Sequence, residues 1–186
     1  MTIIDLDYQK QLNRMHAKGK FRNGHKAYRI VAKFLKDYQP SSVMDFGCGK
    51  GALIAGMKEL NPEIVSEGYD PGNPEFATLP DRTFDAVVST DALEHVEPAY
   101  LDETLRMISS KMGRCGFFRI ACYPSKKKLP DGRNAHLIVE LPEWWREKIE
   151  TVMGVKIVWE KISVFDKSDK WGWVTGHNYD VVVEVR

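Results

Sequence analysis

The stretch from Val43 to Leu60 constrains this chain more than any other. The apolar run Val43-Met44 ends at Asp45. Gly47, Gly49 and Gly51 then alternate with Cys48 and Lys50, and apolar residues resume at helical spacing at Leu53, Ile54, Met57 and Leu60. The spacing predicts strand, glycine turn, helix. Glycines permit a tight reversal and let a ligand lie against the backbone, while the helix that follows aims its free N–H groups into the same turn. Gly47, Gly49 and Ala52 also meet the looser dinucleotide fingerprint. Asp70 then stands where a ribose-binding carboxylate is expected. By itself this leaves open which nucleotide-like ligand is held.

The wider pattern narrows the choice. Asp45-x-Gly47-x-Gly49-x-Gly51, then Gly68-Tyr69-Asp70, then Phe84-Asp85-Ala86-Val87-Val88-Ser89-Thr90-Asp91-Ala92-Leu93-Glu94-His95-Val96, stand in that order. The chain resembles the class I S-adenosylmethionine-dependent methyltransferases: their first motif, the acidic end of their second strand, and their Phe-Asp-x-Val…Leu-Glu-His-Val signature. The resemblance implies a three-layer Rossmann-like α/β sandwich whose mostly parallel sheet ends in an antiparallel pair. It implies S-adenosyl-L-methionine as cofactor, with Gly47, Cys48 and Gly49 in close backbone contact and Asp45 at the methionine amino end. Asp70, with Pro71 beside it, would hold the ribose, and Asp91 and Ala92 would flank the sulfonium. It says little about the acceptor.

A chain of 186 residues suits one domain with a single large core, here residues 1–186, with the helices of 1–40 covering the cofactor site. Its +1 net charge gives no overall bias toward nucleic acid or an anionic membrane. Three cysteines without metal-like pairing argue against a disulfide framework. There is no apolar run of membrane-spanning length and no signal-peptide core, so a soluble cytoplasmic protein is expected.

Taken in order, Ile3–Lys18 reads as a short helix or partly mobile arm and Gly24–Tyr38 as an amphipathic helix. Helices ahead of the first strand often cover the cofactor in the resembled family, so the resemblance offers His16, His25, Tyr28 and Arg29 to the pocket. Ile64–Tyr69 reads as the second strand. Between Asp70 and Phe84 most members of the resembled family place a full βα unit. Here Pro71, Pro74 and Pro80 crowd a short segment, so the third unit is expected to be shortened, with Phe76-Ala77-Thr78 as a vestigial edge strand. Phe84–Thr90 and Cys115–Tyr123 are buried strands, Pro98–Met112 and Pro142–Met153 helices. Val155–Val164, alternating Val155, Ile157 and Trp159 against Lys156, Val158 and Glu160, pairs with Asn178–Val185 across a polar loop, 166–177.

Methyl transfer from a sulfonium is an in-line displacement that needs positioning, water exclusion and, for some acceptors, a base. His95 and His136 are the candidate bases because imidazole titrates near neutrality. Tyr123, Arg133, Asn134 and Trp144 are the candidate substrate contacts, and Lys126-Lys127-Lys128 suits an anionic group. Scattered histidines and no Cys-x-x-Cys predict no metal site. The expected reaction is methylation of a small-molecule or sugar-like acceptor, on oxygen rather than nitrogen, with nucleic acid and membrane not expected as partners. Three alternatives stand beside it. One is a cofactor-binding regulatory subunit without transfer. Another is an RNA ribose methyltransferase using Lys33, Asp91, Lys126 and Glu184, and the last a nicotinamide oxidoreductase.

Overall fold

The strand that opens the glycine turn is the axis of the sheet. In the computed structural model, which describes residues 3–17, 25–169 and 172–186 (backbone alone at 25–27, 167–169 and 172–174), β1 spans Ser42–Phe46 with every residue buried. It pairs in parallel with β2 (Val65–Tyr69) and with β3 (Phe84–Thr90), and β3 pairs in parallel with β4 (Met112–Cys122). β5 (Val155–Asp169) and β6 (Gly172–Val185) form an antiparallel hairpin whose second strand lies against β4, giving the order β2-β1-β3-β4-β6-β5. The result is the Rossmann-like, mostly parallel sheet ending in an antiparallel pair that the motifs implied.

Strand periodicity divides the core between two faces. Met44, Phe46, Val87, Phe118 and Ile120 pack with helices α4 (Leu101–Lys111) and α5 (Pro142–Met153). Their neighbours Val43, Ala86, Val88, Cys115 and Phe117 pack with α2 (His25–Tyr38) and α3 (Ala52–Leu60). Gly154, at φ 66°, ends α5 in the left-handed conformation glycine adopts without strain. Among the described residues no helix is long and apolar enough to cross a membrane.

Three expectations are corrected. Phe76-Ala77-Thr78 forms no strand. Pro74–Phe76 is a 3₁₀ turn, Asp70 N donates to Phe76 O at 3.0 Å, and the Phe76 ring folds back over Gly51. The polar stretch 166–177 is not a loop, since cross-strand pairing continues to Asp169 and Gly172. A bulge at Val158 interrupts the alternation of β5 and leaves Trp159 exposed rather than inward with Val155. The N-terminal segment is a helix, α1 (Leu6–Ala17), with Tyr8, Met15 and His16 buried.

Candidate functional site

A cavity of about 600 Å³ opens where β1, β2 and β3 end, the side of an open α/β sheet on which ligands bind. Its floor is the first motif: Asp45, Phe46, Gly47, Cys48, Gly49 and Lys50. Asp70 and Pro71 form one wall, Thr90, Asp91 and Ala92 another. All eight expected cofactor residues line it.

The glycine turn is held open by specific contacts. A Cβ on Gly47 would stand 2.3 Å from the Cβ of Ala92, so that glycine is demanded by the chain itself. Beside Gly49 the nearest atom a Cβ would meet is His16 Cε1, at 4.0 Å, which leaves room for a ligand against the backbone. Asp70 is fixed beside it. Gly49 N donates to its Oδ2 at 2.9 Å and Gly72 N to its Oδ1 at 2.8 Å, while His16 Nε2 lies 3.9 Å from Oδ2. Asn73 adds a bond from its amide to Gly49 O at 2.6 Å. The shortened segment after Asp70 therefore buttresses the turn.

Burial dominates the electrostatics. It raises the Asp45 carboxyl well above its usual range, with the charge of Asp70 adding to the effect. Burial also raises Asp70, offset in part by His16 and by the two backbone donors, and it lowers His16. A cationic ligand group beside Asp45 would relieve that cost. Asp91 sits at φ 52°, a left-handed position that costs a non-glycine residue about 1 kcal/mol or more. Its N–H reaches Arg119 O at 3.0 Å, and the turn it makes directs the chain toward Leu93-Glu94-His95.

Helix α1 closes the cavity. Ile3, Ile4, Tyr8, Leu12 and His16 line it. Tyr8 Oη donates to His95 O at 2.7 Å, Asp5 N to Glu97 Oε2 at 2.9 Å, and Gln9 Nε2 to Pro71 O at 2.8 Å. The lid is thus tied both to the loop after Asp70 and to the far end of the cavity. Among the described side chains of α2 only Ile30 contributes to the lining. Tyr28 instead bonds Asn61 on the outside of α3, Arg29 is exposed, and the side chain of His25 lies outside the described ones.

Beyond Ala92 the cavity continues to His95, Val96, Glu97, Thr104 and Lys127. His95 and His136, far apart in sequence, meet edge to face with ring centroids 4.8 Å apart. Burial first, then the neighbouring imidazole, holds His95 neutral, at a pKa of about 4. Tyr123 stands behind His136, its ring also against Phe165.

The other expected substrate contacts lie elsewhere. Asn134 braces its own loop, accepting from Ser125 N and His136 N and donating to Ser125 O. Arg133 is exposed, bonded to Asp131 and set 5.5 Å over the Tyr8 ring, where it helps hold the lid. Trp144 packs on Trp145 and lines a separate shallow groove of about 160 Å³. Of the lysine run only Lys127 reaches the cavity. The ribose-methyltransferase tetrad is dispersed: Lys33 pairs with Asp37 on the surface of α2, and Glu184 lies opposite Cys115, well back along β4 from its end at Cys122. Sequence reasoning also passed over Glu94, which is fully buried beside the two histidines.

A family model described as a methyltransferase domain matches residues 17–182. The chain belongs to the methyltransferase-domain family. It is an S-adenosylmethionine-dependent methyltransferase, and the resemblance read from its motifs holds. No curated protein matches the methyltransferase in sequence. Its fold is similar to that of the 1,6-didemethyltoxoflavin N1-methyltransferase of Burkholderia thailandensis, solved with 1,6-didemethyltoxoflavin and S-adenosylhomocysteine. The TM-score is 0.65 at 16% identity, over 96% of this chain and 87% of that one. A methyltransferase of Archaeoglobus fulgidus gives a TM-score of 0.59 at 19% identity, over 97% and 100% of the two chains. One of Clostridium acetobutylicum gives 0.60 at 11% identity, over 96% and 98%.

Proposed function

We propose that this methyltransferase, acting as one unit over residues 1–186, methylates a small-molecule or sugar-like acceptor on oxygen. The observation that carries the reading is the end of the cavity past Ala92, where His95 and Lys127 line one continuous space with the cofactor residues. S-adenosylmethionine supplies the electrophilic methyl group. Asp45 would meet its ammonium, Asp70 its ribose hydroxyls, and the backbone at Gly47–Gly49 would pass beneath it. A carboxylate has about four acceptor positions, and backbone donors occupy two of those on Asp70, so two remain for a ribose.

A hydroxyl acceptor must shed a proton as the bond to carbon forms, whereas a neutral amine can shed it afterwards. The neutral imidazole of His95 at the acceptor end is suited to the first case. The α1 lid would exclude water, and Lys127 would favour an acceptor carrying negative charge.

The test incubates the protein with S-adenosylmethionine and matched panels of phenols, sugars, hydroxy acids and amines, reading S-adenosylhomocysteine release and product mass. Product from hydroxylated compounds is expected. Transfer confined to amines would overturn the oxygen assignment, and cofactor binding without product from any panel would favour a regulatory subunit.

A further inference from the structure

Glu94 has no exposed surface, and among the described residues only the backbone N–H groups of Glu94 itself and of Ala121 approach its carboxylate as donors. An isolated buried carboxylate is costly enough that it is ordinarily paired or bound to a metal. Its surroundings are not apolar. One Glu94 oxygen, one ring nitrogen of His95 and one of His136 lie within 4.8 Å of one another. Bonds of about 2.1 Å at tetrahedral angles separate ligand atoms by about 3.4 Å, so the three groups must draw together by about 1.4 Å or less to hold an ion.

The histidines are oriented as ligands are. The Nδ1 of His95 lies 2.6 Å from Ala135 O, and that of His136 lies 2.5 Å from Tyr123 O. A carbonyl can only accept, so each Nδ1 carries the proton and each Nε2 keeps its lone pair. Carbonyl–imidazole pairs of this kind fix the tautomer of metal-binding histidines.

We infer that Glu94, His95 and His136 form a binding site for a first-row divalent transition ion at the acceptor end of the cavity. Two imidazoles and one carboxylate suit zinc, manganese or iron better than magnesium or calcium, which favour all-oxygen sets. Three protein ligands leave coordination open toward the space that His95 lines. If methyl transfer to oxygen is as proposed above, an acceptor hydroxyl would bind at that open position, where the ion in place of an imidazole base would lower its pKa and let its proton pass to solvent.

Ion binding is tested without any acceptor, so it stands or falls separately from that reading. Tag-free protein is stripped with a chelator and titrated with Zn²⁺, Co²⁺, Mn²⁺ and Mg²⁺, reading melting temperature and, for Co²⁺, visible absorption. A rise of about 5 °C or more at saturation with the transition ions, and Co²⁺ bands of a nitrogen–oxygen site, are expected. Mg²⁺ should give neither. Glu94→Gln keeps the side-chain volume and removes the anion. It should leave the stripped protein at least as stable as the wild type while weakening Zn²⁺ binding about 100-fold, the upper end of what loss of a supporting group costs. His136→Asn should weaken it similarly. No response of the wild type to any transition ion, or undiminished binding by both variants, would overturn the site.

Discussion

The backbone N–H of Gly49 donates to Asp70 Oδ2 at 2.9 Å, joining the turn after β1 to the end of β2 across 21 residues. The bond is charge-assisted, and Gly72 supplies another to the same carboxylate. Asp70 therefore shapes the glycine turn as well as facing the cavity. Asp70→Ala should weaken S-adenosylmethionine binding by about 10- to 100-fold, the worth of one or two charge-assisted bonds. Calorimetric titration checks it. Unchanged affinity would remove Asp70 from the ribose site.

Gly47 and Gly49 should separate folding from binding. Gly47→Ala meets Ala92 at 2.3 Å and also occupies a left-handed backbone position, so a loss of about 3 kcal/mol or more, or insolubility, is expected. Gly49→Ala has the left-handed strain, about 1–2 kcal/mol, but no close neighbour, because its methyl group enters the ligand space. It should fold and fail to bind S-adenosylmethionine. Denaturant melts with and without cofactor distinguish the two. Normal binding by Gly49→Ala would mean that the cofactor does not pass there.

The strands around this turn were readable because their sequence is local: an apolar run, an acidic end, then glycines. β3 matches its expected limits, Phe84–Thr90. The lid was less visible. Ile4, Tyr8, Leu12 and Met15 do recur at helical spacing, but the polar residues between them hide a stripe that covers the cavity and packs on Leu129 and Ala135. The long hairpin was missed because its polar distal half has little alternation, although backbone pairing runs through it unbroken. The Glu94–His95–His136 cluster was not legible. His95 and His136 belong to different segments, and it is the Ala135–Ile138 stretch, docking Leu137 and Ile138 N–H on Glu94 O, that brings them together.

The lid can be loosened at one atom. Tyr8→Phe removes the bond to His95 O and little else, since the ring remains buried. A loss of about 1 kcal/mol in α1 docking is expected, read as faster hydrogen exchange across residues 6–17. KM for the cofactor should rise more than kcat falls. Unaltered exchange would mean that Asp5 and Gln9 hold the lid without it.

Asp45 should behave as a residue whose presence costs stability in the empty protein. Its carboxyl is raised above the usual range by burial and by Asp70. A carboxyl raised on folding adds stability that is fully present below its unfolded pKa, about 3.9, and lost as pH climbs through the folded value. Asp45→Asn cannot ionise. Without ligand it should therefore match the wild type near pH 4 and exceed it by about 1 kcal/mol or more at pH 8. The same variant should lose most of the melting shift given by S-adenosylmethionine if, as proposed, the cofactor ammonium neutralises that buried charge. Melting curves from pH 4 to 8, with and without cofactor, measure both. A variant less stable than the wild type at pH 8, with its cofactor shift intact, would show that Asp45 serves the sheet rather than the ligand.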